Sequence, residues 1–125
     1  VQEAALAVRM APVREAFARF PRVVRDAARA LDREVALELV GGDVALDRAV
    51  LDRIAEPIVH LLRNAVAHGI EPAEARLAAG KPRAGRIVVG AARDRDAVVV
   101  TVADDGRGVD RAAVLRRARE RGLVE

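Results

Sequence analysis

The residues best suited to chemistry lie in one stretch, His60 to His68, which runs directly into Gly69. It contains both histidines of the chain and its only asparagine, Asn64. At about 100° per residue, a helix brings His60, Asn64 and His68 into one narrow sector. The opposite side gathers the apolar residues Ile58, Leu61, Leu62, Ala65 and Val66. One face is thus predicted to be buried, and the other carries groups that bind metals and exchange protons.

This polar stripe could be an ordinary solvated helix face. A chain so rich in Arg and Glu would be expected to use those residues there, however, because asparagine does not favour helix. His60 and Asn64, one turn apart, can offer an imidazole nitrogen and an amide oxygen to one Mg²⁺ ion or to its water shell. The spacing therefore indicates a candidate metal site.

A second candidate is the segment Asp104-Asp105-Gly106-Arg107-Gly108, whose simpler interpretation is a strand-to-helix turn that needs glycine. The carboxylate of Asp104 can accept a hydrogen bond from an exocyclic amine, and Gly106 and Gly108 let the backbone approach a flat base. The segment is neither a Walker P-loop nor a Rossmann fingerprint. It predicts a site for a base, next to a strand end.

A third candidate is Lys81 in Gly80-Lys81-Pro82, where the simpler interpretation is a turn with one exposed lysine. It is the only lysine among 22 basic residues, and all the others are arginine. A compact ammonium on a flexible stem suits a phosphate group. Lys81 is therefore a candidate phosphate contact.

Composition excludes several kinds of chemistry. The chain has 125 residues, 52% of them apolar, which suits one small domain or a part of one. It has no Ser, Cys or Tyr, which excludes a Ser or Cys nucleophile and the usual cysteine-containing zinc sites. Two histidines and a carboxylate remain a formal zinc option. No membrane span or export signal is visible, so a cytoplasmic location is expected.

The charge pattern does not favour a nucleic-acid binder. The formal net charge is +3, and acidic residues are interspersed among the arginines. The only aromatic residues are Phe17 and Phe20, so the chain lacks a stacking platform for single strands. A basic nucleic-acid binder remains an alternative, which a steep salt dependence of DNA affinity would reveal.

Patterns of apolar residues predict mixed α/β structure. The predicted helices cover 1–19 with a break at Pro12, 22–31, 48–68 with Pro57 inside, 71–79, and 111–121. The predicted strands are 35–40, 86–92 and 97–103, and the last two form an antiparallel hairpin. Asp47 and Asp110 are the expected N-caps, and Gly69 is the expected left-handed C-cap. Pro57 is expected either to kink its helix or to start a second one.

The order of these motifs resembles the ATP-binding domain of CheA-type chemotaxis histidine kinases. The matching residues are His-Leu-Leu-Arg-Asn-Ala-x-x-His-Gly-Ile-Glu from His60, then Gly-Lys-Pro, two strands and Asp-Asp-Gly-Arg-Gly. Upstream, Val8-Arg-Met-x-Pro12 and Arg19-Phe-Pro-Arg-x-Val-Arg-Asp26 are similar to the segment that joins the dimerisation helices of that family to its kinase domain. The resemblance covers essentially the whole chain.

The resemblance implies an α/β fold, a two-layer sandwich of the GHKL or Bergerat type in which helices pack on a mixed sheet. Residues 1–19 would be the end of the dimerisation helix and a hinge. Residues 20–125 would be the N-terminal portion of the ATP-binding domain. The mobile lid and the second glycine box of the family would follow Glu125, so the sandwich is expected to be incomplete and the isolated chain inactive.

The resemblance also implies roles for single residues. Asn64 would be the ligand of Mg²⁺, and His60 would assist with metal or proton handling, so both would be catalytic. Asp104 would read the adenine of ATP, supported by Gly106 and Gly108.

His68 and Lys81 would be contacts on the phosphate side of the nucleotide. One departure from the family pattern is Ala67, where the relatives usually have Asp. The contribution of that carboxylate would be missing here.

The implied function is to bind Mg-ATP and, in the whole protein, to transfer the γ-phosphate to a histidine on a separate phosphotransfer domain. The implied partners are that domain, a response regulator, a chemoreceptor and a coupling protein. The protein would dimerise through upstream helices, without inserting into a membrane. The alternative is a non-catalytic interaction module in which the nucleotide site is degenerate.

Overall fold

The computed structural model describes residues 9–95 and 97–106 and the backbone of residues 113–119. Within these ranges the strands are β1 (Met10–Pro12), β2 (Val35–Val40), β3 (Ala45–Asp47), β4 (Gly85–Asp94), β5 (Ala97–Asp104) and β6 (Ala113–Arg119). The helices are α1 (Arg14–Phe17), α2 (Phe20–Leu31), α3 (Arg48–Asn64) and α4 (Ala73–Ala78), and a π-helical turn (Ala65–Gly69) follows α3 directly.

The main sheet has four strands in the order β2-β4-β5-β6. β2 and β4 are parallel, whereas β4, β5 and β6 are successively antiparallel. Parallel neighbours need a long crossover, and here the connection from β2 to β4 contains α3, the π-turn and α4. The predicted mixed sheet with an antiparallel hairpin is confirmed.

One face of this sheet and the helices enclose the core. Along β5, burial alternates with the period of a strand, so that Val98, Val100 and Val102 are buried. They meet the apolar side of α3, where Ile58 and Leu62 are almost fully buried. The predicted division of this helix into a buried and an exposed side is confirmed.

The start of the described chain differs from the prediction. Residues 10–12 form strand β1, which pairs antiparallel with β3, where a helix was predicted. The backbone N–H of Val13 donates to Val44 O at 2.8 Å, and that of Arg48 donates to Arg9 O at 2.7 Å. Residues 9–13 and 44–48 form hydrogen bonds with each other's backbone N–H and C=O groups, and this pairing outweighs the helix propensity of the first segment. Pro12 also has no N–H to donate within a helix. Residues 1–8 lie outside the described ranges.

Helix α3 begins as predicted and ends differently. The Asp47 side chain accepts a hydrogen bond from the backbone N–H of Ala49 at 3.1 Å, which confirms the N-cap. The helix continues through Pro57, whose side chain is exposed. At the other end, Gly69 is not a left-handed cap; among the described glycines only Gly41 and Gly80 have positive φ.

The prediction of a helix over residues 111–121 is wrong for residues 113–119. The backbone of residues 113–119 forms β6 and pairs with β5, with a register shift between Val100 and Thr101. Without β6, the outer edge of β5 would leave a row of N–H and C=O groups unpaired. The predicted cap Asp110 lies outside the described residues. In the part of the chain that the structure covers, no helix is long and apolar enough to cross a membrane.

Candidate functional site

Helix α3 places two of the predicted site residues at its exposed side. His60 and Asn64 are both exposed and one turn apart, while the buried side of the same helix is anchored in the core. The Asn64 side chain makes no hydrogen bond to another described residue, so its amide oxygen is available to a ligand. The rigid helix thus presents an imidazole and an amide from a fixed platform.

The π-turn carries His68 and Gly69 past the end of α3. The backbone N–H of Ile70 donates to Ala65 O at 2.9 Å, five residues earlier, which is the π-helical pattern. A π-turn contains more residues than an α-helical turn, so exposed His68 does not keep the α-helical spacing predicted from His60. Gly69 is buried at the end of this turn.

Gly69 brings the helix end against the carboxylate at the end of β5. A Cβ atom on Gly69 would lie 2.8 Å from Oδ2 of Asp104, and one on Gly106 would lie 1.9 Å from the carbonyl oxygen of Gly69. Neither position has room for a side chain. The end of the π-turn that follows the predicted helix site therefore packs directly against the predicted Asp104 segment.

Asp104 is held in a defined orientation. Its Oδ1 accepts a hydrogen bond from the backbone N–H of Gly106 at 2.8 Å, and its side chain is half-buried. Oδ2 makes no hydrogen bond to a described residue, so it is available to accept one from an exocyclic amine. Gly108, the other predicted glycine of this segment, lies outside the described residues.

Next to the segment from Asp104 to Gly106 lies a group of charged residues that we call the ionic cluster: Glu71, Arg76, Lys81 and Asp105. Arg76 is fully buried, and its guanidinium pairs with Glu71 Oε1 at 2.8 Å and with Asp105 Oδ2 at 3.2 Å. Its Nε donates to Pro82 O at 2.8 Å. Carboxylates on two sides compensate for the loss of water around the buried charge.

Lys81 joins the same cluster. Its ammonium donates to Glu71 Oε2 at 2.8 Å and to Gly106 O at 2.7 Å. The hydrogen bond from Lys81 is the largest influence on the pKa of Glu71, which is lowered from 4.5 to about 2 although burial acts in the opposite direction. The structure thus brings Lys81 next to Gly106, at the base end of the candidate site.

Sequence reasoning missed Arg76 and the packing role of Gly69. Arg76 is one of 21 arginines and stands in a short helix, α4, which was predicted approximately as 71–79. One signal was present: α4 has no large apolar residue except Leu77, which is exposed. The long side chain that α4 buries is therefore the polar one of Arg76.

The described residues include no group of three or more His, Asp or Glu side chains arranged to hold a metal. Mg²⁺ keeps several waters and takes one or two protein oxygens together with phosphate, so the Mg²⁺ prediction requires only one amide oxygen from this part of the chain. The exposed Asn64 amide oxygen fits such a role.

The fold is that of a histidine kinase domain. It is similar to the histidine kinase domain of a blue-light-activated histidine kinase from Erythrobacter litoralis EL346, with a TM-score of 0.55, 19% identity, and coverage of 87% of this chain and 48% of that one. At this level of identity the similarity concerns the fold alone, and it confirms the predicted GHKL-type sandwich. No protein-family model matches the chain.

The sequence is similar to that of the chemotaxis protein CheA, as the resemblance indicated. It is 42% identical to CheA of Bacillus subtilis over 124 residues, which are 99% of this chain and 18% of that protein. It is 43% identical to CheA of Treponema pallidum over 124 residues, which are 99% of this chain and 15% of that protein. The chain thus spans less than a fifth of the length of these relatives.

Proposed function

We propose that the chain forms the adenine- and magnesium-binding part of the ATP-binding domain of a CheA-type histidine kinase. The observation that carries this proposal is the close packing of Gly69 and Gly106 beside Asp104, which unites the two candidate segments. The carboxylate keeps one oxygen for an amine, and the neighbouring backbone lacks side chains that would obstruct a flat base. Sequence similarity to CheA over nearly the whole chain supports the same function.

In this proposal, Asp104 accepts a hydrogen bond from the adenine amine, and Gly106 and Gly108 leave space for the ring. Asn64 holds Mg²⁺ through its amide oxygen, and His60 holds or moves a proton beside it. His68, on the π-turn, lies toward the phosphates. When bound, Mg²⁺ would offset the charge that develops on the phosphate oxygens during transfer.

For the whole protein, we propose transfer of the γ-phosphate to a histidine of a phosphotransfer domain in two-component chemotaxis signalling. The response regulator, chemoreceptor and coupling protein are the corresponding partners, with dimerisation through helices upstream and residues 1–19 leading into the ATP-binding domain. A cytoplasmic location is part of this proposal.

The test is calorimetric titration with adenosine and with a non-hydrolysable ATP analogue, with and without Mg²⁺. Asp104→Ala should weaken binding of both ligands about 10- to 100-fold, because it removes a hydrogen bond between an amine and a charged group. Asn64→Ala should weaken binding of the analogue only when Mg²⁺ is present, and should leave adenosine binding unchanged.

Matched controls are available on α3 and on β4, the strand that pairs with β5. Asp52 is an exposed carboxylate on α3, and Asp94 is an exposed carboxylate on β4. Asp52→Ala and Asp94→Ala should leave both affinities unchanged. If Asp104→Ala and Asn64→Ala bind like the unaltered chain, the proposed site is wrong. If the unaltered chain binds no ATP analogue, the interaction-module alternative is favoured.

A further inference from the structure

We propose that Glu71, Arg76 and Lys81 are positioning residues that hold the turn from Asp104 to Gly106 in its base-binding geometry, and that Lys81 acts at this turn and not on the phosphates. This inference rests on the proposed function, because the ligand of the turn is taken to be adenine. It assigns a role to the buried arginine that the sequence did not single out, and it gives Lys81 a different role from the one its type and position suggested.

Lys81 already has a hydrogen-bond acceptor for each of its N–H donors. An ammonium group has three N–H donors. Three acceptors surround this one: Glu71 Oε2 at 2.8 Å, Gly106 O at 2.7 Å and Asp105 O at 3.4 Å. A phosphate contact would require Lys81 to give up one of these partners. In this arrangement the donors of Lys81 are directed to the turn and to Glu71.

Glu71 connects the two cations Arg76 and Lys81. Its Oε1 accepts from Arg76 and its Oε2 accepts from Lys81, so one carboxylate fixes both side chains. The Glu71 side chain is only 12% exposed and that of Arg76 is completely buried. Short charge-assisted hydrogen bonds in a site with little water have defined geometry. Arg76 and Lys81 are consequently held in place relative to each other.

Several hydrogen bonds hold the turn from Asp104 to Gly106. Arg76 donates to Asp105 Oδ2 at 3.2 Å, and the backbone N–H of Arg86 donates to Asp105 Oδ1 at 2.8 Å. Lys81 holds the carbonyl oxygen of Gly106, and the N–H of the same Gly106 orients Asp104. A continuous chain of contacts therefore runs from Glu71 through Lys81 and Gly106 to the carboxylate of Asp104.

Backbone contacts with Arg86 hold Asp105 on the β4 side, since its N–H donates to Arg86 O at 3.1 Å, whereas Gly106 depends on Lys81 for the contact of its carbonyl oxygen. Gly106 has no side chain that could pack, and the Asp105 side chain is 46% exposed. The contact of Gly106 with the Gly69 carbonyl limits approach from one side only. The carbonyl of Asp105 shares a peptide unit with the N–H of Gly106, and both Lys81 and Arg76 donate to that carbonyl at 3.4 Å. Loss of the Lys81 hydrogen bonds would let the peptide units on both sides of Gly106 reorient, and Asp104 would lose its orientation.

Lys81→Met tests this role, because methionine keeps much of the length of the side chain and removes the charge and donors. It should weaken binding of adenosine and of the ATP analogue by the same factor, about 5- to 10-fold, as expected for one lost hydrogen bond that orients the site. A phosphate contact would instead weaken binding of the analogue and leave adenosine binding unchanged. That result, or unchanged binding of both ligands, would overturn the positioning role.

A matched control is Arg83→Met in the same loop, since the ion pair of Arg83 joins it to Glu34 and both side chains are about half exposed. This variant should bind both ligands like the unaltered chain. Amide NMR shifts of Asp105 and Gly106 without ligand provide the second measurement, and they should move in Lys81→Met and Glu71→Gln but not in Arg83→Met. Unmoved shifts would also overturn the role, whereas an unaltered chain that binds no adenosine would overturn the proposed function.

Discussion

At the scale of single residues, two glycines shape the site because they have no side chain. Gly69 and Gly106 lie where any side chain would meet the other segment of the site. The obstacle differs between them: a Cβ on Gly69 would meet the end of the Asp104 side chain, and a Cβ on Gly106 would meet backbone. A side-chain end can move aside, whereas backbone packed in a fold cannot move without disturbing its neighbours.

This difference predicts that alanine at the two positions has different effects. Gly106→Ala should lower the free energy of unfolding by about 1 to 3 kcal/mol, the usual cost of overpacking. Gly69→Ala should cost less stability, yet it should weaken adenosine binding because the Asp104 carboxylate is displaced. Urea unfolding and adenosine titration measure the two effects.

Gly90→Ala is the control, since a Cβ on Gly90 would find only Thr101 Oγ1 at 3.5 Å, an ordinary contact. It should change neither stability nor affinity appreciably. Equal losses of stability and of binding in Gly69→Ala and Gly106→Ala would contradict the distinction between side-chain and backbone obstacles.

At the scale of elements, helix α3 carries half of the site, and Asp47 determines where it begins. Asp47→Ala removes the hydrogen bond to the N–H of Ala49 and should lower the free energy of unfolding by about 1 kcal/mol. Asp43→Ala is the control, because Asp43 is exposed and lies before β3, outside any helix. Urea unfolding of both variants is sufficient, and equal losses in the two would contradict the capping role.

Elements whose signal is local were predictable from sequence. Strand β2 has the predicted bounds because its apolar character and the following Gly41-Gly42 are contained in the segment itself. Strand β1 was not predictable, since its hydrogen bonds depend on residues more than thirty positions away. The same reason applies to β6, whose backbone is paired with β5. Helical spacing of apolar residues does not reveal which backbone groups a neighbouring strand leaves unpaired.

The candidate site was predictable to a similar extent. Asn64 and Asp104 stood out by residue type, and the structure links their segments through Gly69. Arg76 did not stand out, because the scarcity of large apolar residues in α4 does not show which of its polar side chains is buried. Its burial follows from the position of α4 relative to Asp105, which is a tertiary property.

At the scale of the whole molecule, the ionic cluster connects elements that are distant in sequence. It joins Glu71 before α4, Arg76 in the last turn of α4, the loop before β4 and the residue after β5. The crossover is thus connected by ion pairs to the end of the hairpin. A carboxylate whose pKa is lowered by folding stabilises the folded state wherever it is ionised. Stability therefore depends on the protonation of Glu71.

The direction of this pH dependence follows from the pKa of Glu71, about 2 in the folded chain against an ordinary value of 4.5. The stabilisation is fully present above pH 4.5 and is lost as the pH falls toward 2, because the unfolded chain binds the proton first. The free energy of unfolding, measured in urea at pH 7, 4 and 3, should therefore decrease across this interval.

Glu71→Gln should be less stable than the unaltered chain at pH 7, because a neutral amide leaves Arg76 buried without one of its carboxylates. The difference between the two chains should shrink as the pH falls, since protonation of Glu71 in the unfolded form of the unaltered chain then removes part of its stabilisation. Glu74, which is exposed on α4, provides the control. The free energy of unfolding of Glu74→Gln should change with pH in the same way as that of the unaltered chain. If the free energy of unfolding of Glu71→Gln also changes with pH like that of the unaltered chain, Glu71 does not contribute to the pH dependence of stability.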